Sequence, residues 1–246
     1  MLLTAFGILF THVISSIIIF LFFSRLLQIK KQNLLTLFVI TMGLGSATIS
    51  LLLTRLIMIF PHHGDLFYIS IILSVFLILF LFGYKNLFLV KFLLKEIVET
   101  YKSEPYEEDH ILKMVKIAII FLVISIFYMT LLFPIIENDA LQYATVARMI
   151  YESKTCSFYP LINPDPKTGF YAVSSHPLGY ISLITWSYMI NGGITNSWIT
   201  RVISPIYMLY TIILLWYVLY TSRNKICAIF GVLLLLTTPI YYIETV

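Results

Sequence analysis

Long uninterrupted apolar runs are the feature that most constrains the fold of this chain. Several runs of Ile, Leu, Phe and Val reach about 20 residues, which is enough for a helix to cross the hydrocarbon core of a bilayer. Only 11% of the 246 residues are charged, whereas an ordinary soluble domain carries roughly 25%. Backbone groups in lipid need internal partners, and the runs lack the alternation of a barrel strand. The sequence therefore predicts an all-α polytopic membrane protein.

About six transmembrane helices are predicted from these runs. Their approximate ranges are 2–24, 34–60, 66 into the "GYKN" stretch, 117–136, 201–220 and 226–243. The apolar piece "PLGYISLITWSYMI" is short for a crossing, and both of its ends would lie outside. We expect it to be interfacial or re-entrant, with Trp186 and Tyr188 at the level of the lipid headgroups. A seven-span count would place Arg223 and Lys225 outside, which the distribution of basic residues disfavours.

The lysines and arginines predict how the chain is oriented in the membrane. The connection between the third and fourth spans holds six lysines, and Arg25, Lys30 and Lys31 follow the first span. Basic loops stay in the cytoplasm, so loop 85–116 is predicted to be cytoplasmic and loop 137–176 extracytoplasmic. Membrane insertion explains the net charge of +4, which therefore does not indicate a nucleic-acid partner. The predicted location is the plasma or inner membrane of the cell envelope.

Three segments are predicted along the chain. They are an N-terminal three-helix membrane module at 1–94, a cytoplasmic loop at 95–114 and a core at 115–246. Within the core we predict the external loop 137–176, an interfacial helix 177–191 and the last two spans.

Two carboxylates, Glu137 and Asp139, stand at the mouth of a hydrophobic segment. If a helix starts near Asp139, polar side chains recur on one stripe of it and Ala147 and Ile150 lie across from that stripe. Such an amphipathic helix suits the membrane surface. Asp139 could be an N-cap, with Gln142 completing a capping box, and Glu137 merely solvated. Alternatively both carboxylates face a membrane-level cavity as metal ligands or as a general base.

A second group of candidates follows in the external region. His176 precedes Pro177 at the start of an apolar helix, where a histidine is more often structural, although a helix start can also hold an anion. Arg201 at the mouth of the fifth span is usually a snorkelling residue, but near the same cavity it could clamp a phosphate. His62 and His63 share a turn with an aspartate, a weak indication of a metal site.

Four stretches in this order resemble the N-terminal half of GT-C glycosyltransferases. The stretches are "NDALQYATVARMIYESK", "SSHPLGYISLITW", "SWITRVISPIYMLYTIILLWYVLYTSRNK" and "GVLLLLTTPIYY". The likeness is to the branch of protein mannosyltransferases and lipid A aminoarabinose transferases, in which an external acid is followed four positions on by Tyr and then by an Ala-Arg pair. Asp139, Tyr143, Ala147 and Arg148 keep that spacing. Where the family has a second acid directly after the first, this chain has Ala140.

The other family elements are matched in part. His176, Pro177 and Leu178 correspond to a His-Pro-Pro-Leu element that has lost one proline, and Arg201 with Pro205 corresponds to an Arg-Leu-Pro-like start of the next span. The resemblance covers about residues 115 to 246.

The resemblance implies an enzyme that transfers a sugar, with inversion, from a polyprenyl- or dolichyl-phosphate donor on the extracytoplasmic face. The acceptor would be a lipid, a glycan or a protein. Asp139 would be the catalytic base, and Glu137 would assist it or hold a divalent cation, Mg²⁺ or Mn²⁺. Arg148, His176 and Arg201 would stabilise the lipid-phosphate leaving group, and Tyr143 belongs to the same substrate-binding set. Members of this family commonly continue to another acidic external loop, so the resemblance implies a truncated C-terminus. If the chain is complete, a partner membrane chain would be needed to close the cavity.

Two other classes of function stay open. A transporter or permease component would carry charges deep inside its spans, whereas these spans are nearly free of charge between their ends, with Arg55 the main exception. A non-catalytic membrane assembly subunit is compatible with the short chain.

Overall fold

The computed structural model describes residues 2–28, 34–102, 110–132, 138–157, 178–194 and 198–238, and throughout these ranges the regular structure is helical. The α-helices are α1 (Leu2–Leu9), α2 (Ser15–Leu26), α3 (Leu34–Thr41), α4 (Leu44–Ile59), α5 (Asp65–Gly83), α6 (Phe88–Lys102), α7 (His110–Leu132), α8 (Asn138–Ser153), α9 (Leu178–Asn191), α10 (Trp198–Arg201), α11 (Ile203–Ser222) and α12 (Lys225–Thr237). A π-helical segment, Phe10–Ile14, joins α1 to α2, and a 3-10 turn, Tyr84–Asn86, follows α5.

Five helical stretches of the described residues are long and apolar enough to cross a membrane. They are Phe6–Leu26, Leu34–Ile59, Asp65–Asn86, His110–Leu132 and Ile203–Ser222. The chain is thus an all-α polytopic membrane protein, and these stretches correspond to the first five predicted spans. For the sixth, α12 offers 13 residues, and the predicted range 226–243 continues into 239–246, outside the described residues. The sixth crossing stays a prediction.

The helices form two compact packing units. Unit 1 comprises Met1–Ser16, Leu44–Leu79 and Pro134–Thr200, and unit 2 comprises Ile17–Gly43, Phe80–Phe133 and Arg201–Val246. Each unit therefore combines three separate stretches of sequence, because helices distant along the chain pack side by side. The three predicted segments (1–94, 95–114 and 115–246) follow the order of the sequence and do not describe which helices pack together. This division of the chain stays a prediction.

Helix α9 lies at the centre of unit 1, packed against α1, α4 and α8. Every residue from Ile181 to Met189 is buried. Trp186, which we expected at the headgroup level, is only 1% exposed, and its indole N–H donates to the Thr11 hydroxyl at 2.8 Å. Protein rather than lipid headgroups covers this side chain, since a buried indole N–H needs an acceptor and Thr11 supplies one.

Polar contacts also join α9 to α4 within unit 1. The Ser50 hydroxyl donates to the Gly179 carbonyl at 2.6 Å, and the Thr54 and Ser182 hydroxyls are 2.6 Å apart. Small hydroxyl side chains let helices approach closely and bond across their interface, which is a common way to pack helices in a membrane protein. Helix α9 is therefore held on several sides.

Among the described residues of unit 2 are two apolar clusters and a helix that the sequence did not predict. The first cluster is formed by Phe20, Leu21, Leu34, Leu37, Leu89 and Leu93. The second is formed by Ile126, Met208, Val232 and Leu236, from α7, α11 and α12. The unpredicted helix is α6, which begins before the predicted loop 95–114 and extends into it. Leu89 and Leu93 come from α6, and their spacing of four places both on one face.

Candidate functional site

Helix α8 carries the centre of the predicted site, and the prediction of a helix starting near Asp139 is confirmed. The helix runs from Asn138 to Ser153, with Ala147 and Ile150 buried and Arg148 exposed, as the amphipathic pattern predicted. The buried face packs on α9, whose Thr185 hydroxyl donates to the Ala147 carbonyl at 3.2 Å. The apolar face of α8 is therefore covered by protein rather than lying on a lipid surface.

Some predicted site residues fall outside the described part of the chain. Glu137 and His176 both do, and of Asp139 the structure describes the backbone, in the first turn of α8, but not the side chain. The described residues contain no group of three or more His, Cys, Asp or Glu side chains that could hold a metal ion. Because Glu137 is not among those residues, the predicted cation site stays a prediction.

Arg148 forms an ion pair on the exposed side of α8. Its Nε donates to Oε1 of Glu152, one turn on, at 2.8 Å, and the two side chains are 60% and 50% exposed. The hydrogen bond and the charge of Glu152 raise the pKa of the Arg148 guanidinium. Before Arg148 could bind a phosphate, this carboxylate would have to move aside or share the guanidinium.

Tyr143 lies between α8 and α9. Its ring packs edge-to-face on Tyr180, with ring centroids 5.6 Å apart and an interplanar angle of 74°. The preceding residue of α8 is Gln142, whose side-chain oxygen is buried and accepts no hydrogen bond from the described residues. A buried amide oxygen usually has a partner, so this atom offers an acceptor to a ligand or a water. Sequence reasoning had given Gln142 only a capping role.

Arg201 ends the short helix α10 and belongs to unit 2. Its Nη1 donates to the Leu131 carbonyl at 3.3 Å, close to the end of the span His110–Leu132. The structure thus brings Tyr143 and Arg148 onto one helix of unit 1, whereas Arg201 is packed in unit 2.

The sequence analysis missed a polar cluster that joins the α4–α5 loop to the end of α8. We call this cluster, formed by His62, Asp65, Tyr151 and Lys154, the α8 clasp. Lys154 pairs with Asp65, in an ion pair whose side chains are only 17% and 26% exposed, and its Nζ lies 3.6 Å from the ring centroid of Tyr151. Tyr151 also hydrogen-bonds to Asp65, and burial, then this carboxylate, raise the pKa of Tyr151.

Backbone contacts complete the clasp. The His62 N–H donates to the Lys154 carbonyl at 2.9 Å, and His62 Nδ1 lies 3.0 Å from the Ser153 carbonyl, to which it can only donate. Both His62 and Lys154 have positive φ, at 63° and 55°, which is unusual for residues other than glycine. His62 was a weak candidate for a metal ligand. In the structure one of its ring nitrogens is instead hydrogen-bonded to a carbonyl. Some 90 residues separate the partners, so no local signal could have revealed the cluster.

Cys156 follows the clasp in unit 1. Its side chain is 7% exposed, and burial raises the pKa of its thiol to about 11. A buried thiol with so high a pKa is mostly protonated at neutral pH and is a poor nucleophile.

No protein-family model matches the chain, and neither the search of curated proteins nor that of solved structures finds a match. The likeness to GT-C glycosyltransferases therefore rests on the residues of the four stretches.

Proposed function

We propose that the chain is an integral membrane glycosyltransferase that takes a sugar from a polyprenyl- or dolichyl-phosphate donor. The observation that carries the proposal is helix α8. It begins at Asn138, shortly after a membrane-spanning helix ends at Leu132, and it holds Asp139, Tyr143 and Arg148 at the spacing of the family motif. A donor with a lipid tail presents its sugar at the membrane boundary, where the start of such a helix would lie.

The proposed reaction is a single displacement with inversion. The hydroxyl oxygen of the acceptor attacks the anomeric carbon, the bond from that carbon to the lipid-phosphate oxygen breaks, and Asp139 takes the hydroxyl proton. Glu137 assists Asp139, or holds with it a divalent cation, Mg²⁺ or Mn²⁺, which would neutralise phosphate charge. The acceptor is a lipid, a glycan or a protein.

The leaving phosphate requires positive charge near the mouth of the membrane. In the proposal Arg148, His176 and Arg201 supply it. For Arg148 this means exchanging Glu152 for a phosphate oxygen, and a guanidinium can bond to two oxygens at once. The acceptor oxygen of Gln142, also on α8, suits the hydroxyl groups of a sugar.

In the proposal the site lies on the outer side of the membrane. Loop 137–176 faces the extracytoplasmic side of the plasma or inner membrane, loop 85–116 faces the cytoplasm, and the donor reaches the site through the lipid. A partner membrane chain would complete the cavity if the site is not closed by this chain.

Donor binding tests the proposal. The purified protein in detergent is titrated with a polyprenyl-phosphate sugar, and Arg201→Ala is compared with Arg223→Ala, since these arginines flank the same span, Ile203–Ser222. A charge-assisted hydrogen bond contributes about 1.5 to 3 kcal/mol, so Arg201→Ala should weaken binding roughly tenfold or more. Arg223→Ala should bind as the wild type does.

The Asp139→Asn variant separates binding from chemistry. It should bind donor normally and lose sugar transfer by roughly a hundredfold or more, because an amide cannot take the proton. Absence of donor binding in the wild type rejects the proposal. If Asp139→Asn instead lowers the amount of protein in the membrane, the residue is structural and the chain is better described as an assembly subunit.

A further inference from the structure

Helix α6 begins directly after a membrane span. The third candidate span, Asp65–Asn86, ends in the 3-10 turn Tyr84–Asn86, and α6 starts at Phe88. A helix that follows a span with one residue between them starts at the membrane boundary, whatever direction it then takes. The first turn of α6 is therefore presented to the headgroup region of the bilayer.

Packing within unit 2 holds α6 at that level. Leu89 and Leu93 are buried in the cluster that includes Leu21, near the end of the span Phe6–Leu26, and Leu34, the first residue of the span Leu34–Ile59. These partners come from the ends of two spans rather than from their middles. Helix α6 therefore lies beside the membrane boundary along its first turns.

Two lysines and two phenylalanines are among the exposed residues of α6. Lys91 and Lys95 are exposed and lie away from the buried leucines, while Phe88 and Phe92 are exposed on the flank between the lysines and the protein. Phe88 is 53% exposed. Exposed phenylalanines can insert into the acyl boundary of the bilayer, while the lysines beside them are attracted to negative headgroups.

Two further basic residues, Arg25 and Lys85, lie near the start of α6. The Arg25 guanidinium bonds to the Phe82 carbonyl and lies 4.8 Å from the centroid of the Phe82 ring. Asn86 donates to the Ser24 hydroxyl at 3.1 Å, which fixes the end of α2 against the turn that contains the exposed Lys85. Arg25 and Lys85 therefore extend the positive charge of α6 along the same boundary.

We propose that this surface binds anionic phospholipid headgroups of the adjoining leaflet. The α6 lipid face consists of Lys85, Phe88, Lys91, Phe92 and Lys95. The ammonium groups contact lipid phosphates, and the two phenylalanine rings enter the acyl boundary. The occupant is lipid rather than an acidic protein because the phenylalanines are exposed at a level where lipid is present. This proposal is independent of the proposed sugar transfer.

A lipid titration tests the proposal. The purified protein in a zwitterionic detergent is titrated with phosphatidylglycerol, and in parallel with phosphatidylcholine, while its thermal unfolding midpoint is followed. We expect a saturable rise with phosphatidylglycerol only. Each lysine near an anionic surface contributes roughly fivefold in affinity, so Lys91→Gln with Lys95→Gln should raise the half-saturating lipid concentration roughly ten- to thirtyfold.

Two control variants make the result specific. Arg223→Gln removes an exposed charge at the end of α11 and should titrate as the wild type does, and so should the charge-retaining pair Lys91→Arg with Lys95→Arg. The unfolding midpoint of the glutamine pair without added lipid is the baseline for its own titration, since Lys95 also interacts with other groups of the protein.

Three outcomes would overturn the proposal. The first is an equal response of the wild type to both lipids, and the second is an unchanged titration in the glutamine pair. The third is displacement of the lipid by polyglutamate at matched charge, since that would make the face a general site for acidic polymers.

Discussion

Gly45 shows at the scale of one residue how closely helix backbones approach in unit 1. A Cβ placed on this buried glycine would overlap the Ser15 hydroxyl and the backbone of Ser15 and Ser16. Backbone atoms cannot swing away as a flexible side chain can, so the helices would have to separate. Glycine at this position is thus required by packing in the manner of small residues at membrane helix interfaces.

Gly45→Ala should therefore destabilise the protein by about 1 to 3 kcal/mol, the usual cost of overpacking. In most helix positions a Gly→Ala change stabilises the protein by roughly 0.5 to 1 kcal/mol. A loss of stability in Gly45→Ala would therefore indicate the close contact rather than helix propensity. Gly64→Ala is the matched control, because nothing lies within 4 Å of a Cβ built there. Thermal unfolding in detergent would measure both. Equal midpoints for the two variants would contradict the close approach.

At the scale of elements, two ion pairs with different surroundings can be compared: Arg148–Glu152 on α8, and Asp65–Lys154, which joins the first residue of α5 to the residue that follows α8. The Asp65–Lys154 side chains are 17% and 26% exposed, and the Arg148–Glu152 side chains 60% and 50%. Removing one partner of a sheltered pair leaves a charge that water solvates poorly, whereas an exposed pair at four-residue spacing contributes little.

We expect Asp65→Asn or Lys154→Met to cost about 1 to 3 kcal/mol and to loosen the end of α8. Arg148→Gln or Glu152→Gln should cost no more than about 0.5 kcal/mol. Double-mutant cycles on the two pairs, read by thermal unfolding, give the coupling free energies, and hydrogen exchange of the α8 amides locates the effect. Indistinguishable coupling in the two cycles would argue against the clasp.

The elements also show which parts of the fold were predictable from the sequence. Helix α8 was predicted because its polar and apolar residues recur at helical spacing, and that signal is local. Helix α6 carries the same kind of signal in Leu89 and Leu93, but its lysines are equally typical of a cytoplasmic loop, which the sequence predicts at 95–114. The burial of Trp186 and the pairing of Asp65 with Lys154 depend on contacts between distant segments. Such contacts leave no pattern in a single sequence.

At the scale of the whole molecule, contacts between described residues show which loops and which ends of the spans lie together. His62 contacts the end of α8, so the α4–α5 loop and residues 153–155 lie at one end of unit 1. Asn86 contacts Ser24, so the ends of the first and third spans coincide in unit 2. Both pairings fit a chain that crosses the membrane at each of its first four spans.

The positive-inside bias then predicts that residues 153–157 are extracytoplasmic and that the start of α7 is cytoplasmic. Ser157→Cys and His110→Cys, both at exposed positions, would report this in a Cys227→Ser background. In intact cells a membrane-impermeant maleimide should modify Ser157→Cys, and it should modify His110→Cys only after permeabilisation.

The native Cys156 can stay in these variants because it should contribute little background. With a thiol pKa of about 11, roughly one molecule in ten thousand carries the thiolate at pH 7, and the side chain is buried as well. The parent protein with only Cys156 measures that background directly. If His110→Cys reacts in intact cells and Ser157→Cys does not, the chain is inverted. The carboxylates of α8 would then face the cytoplasm, and the proposed external sugar transfer would be wrong as well.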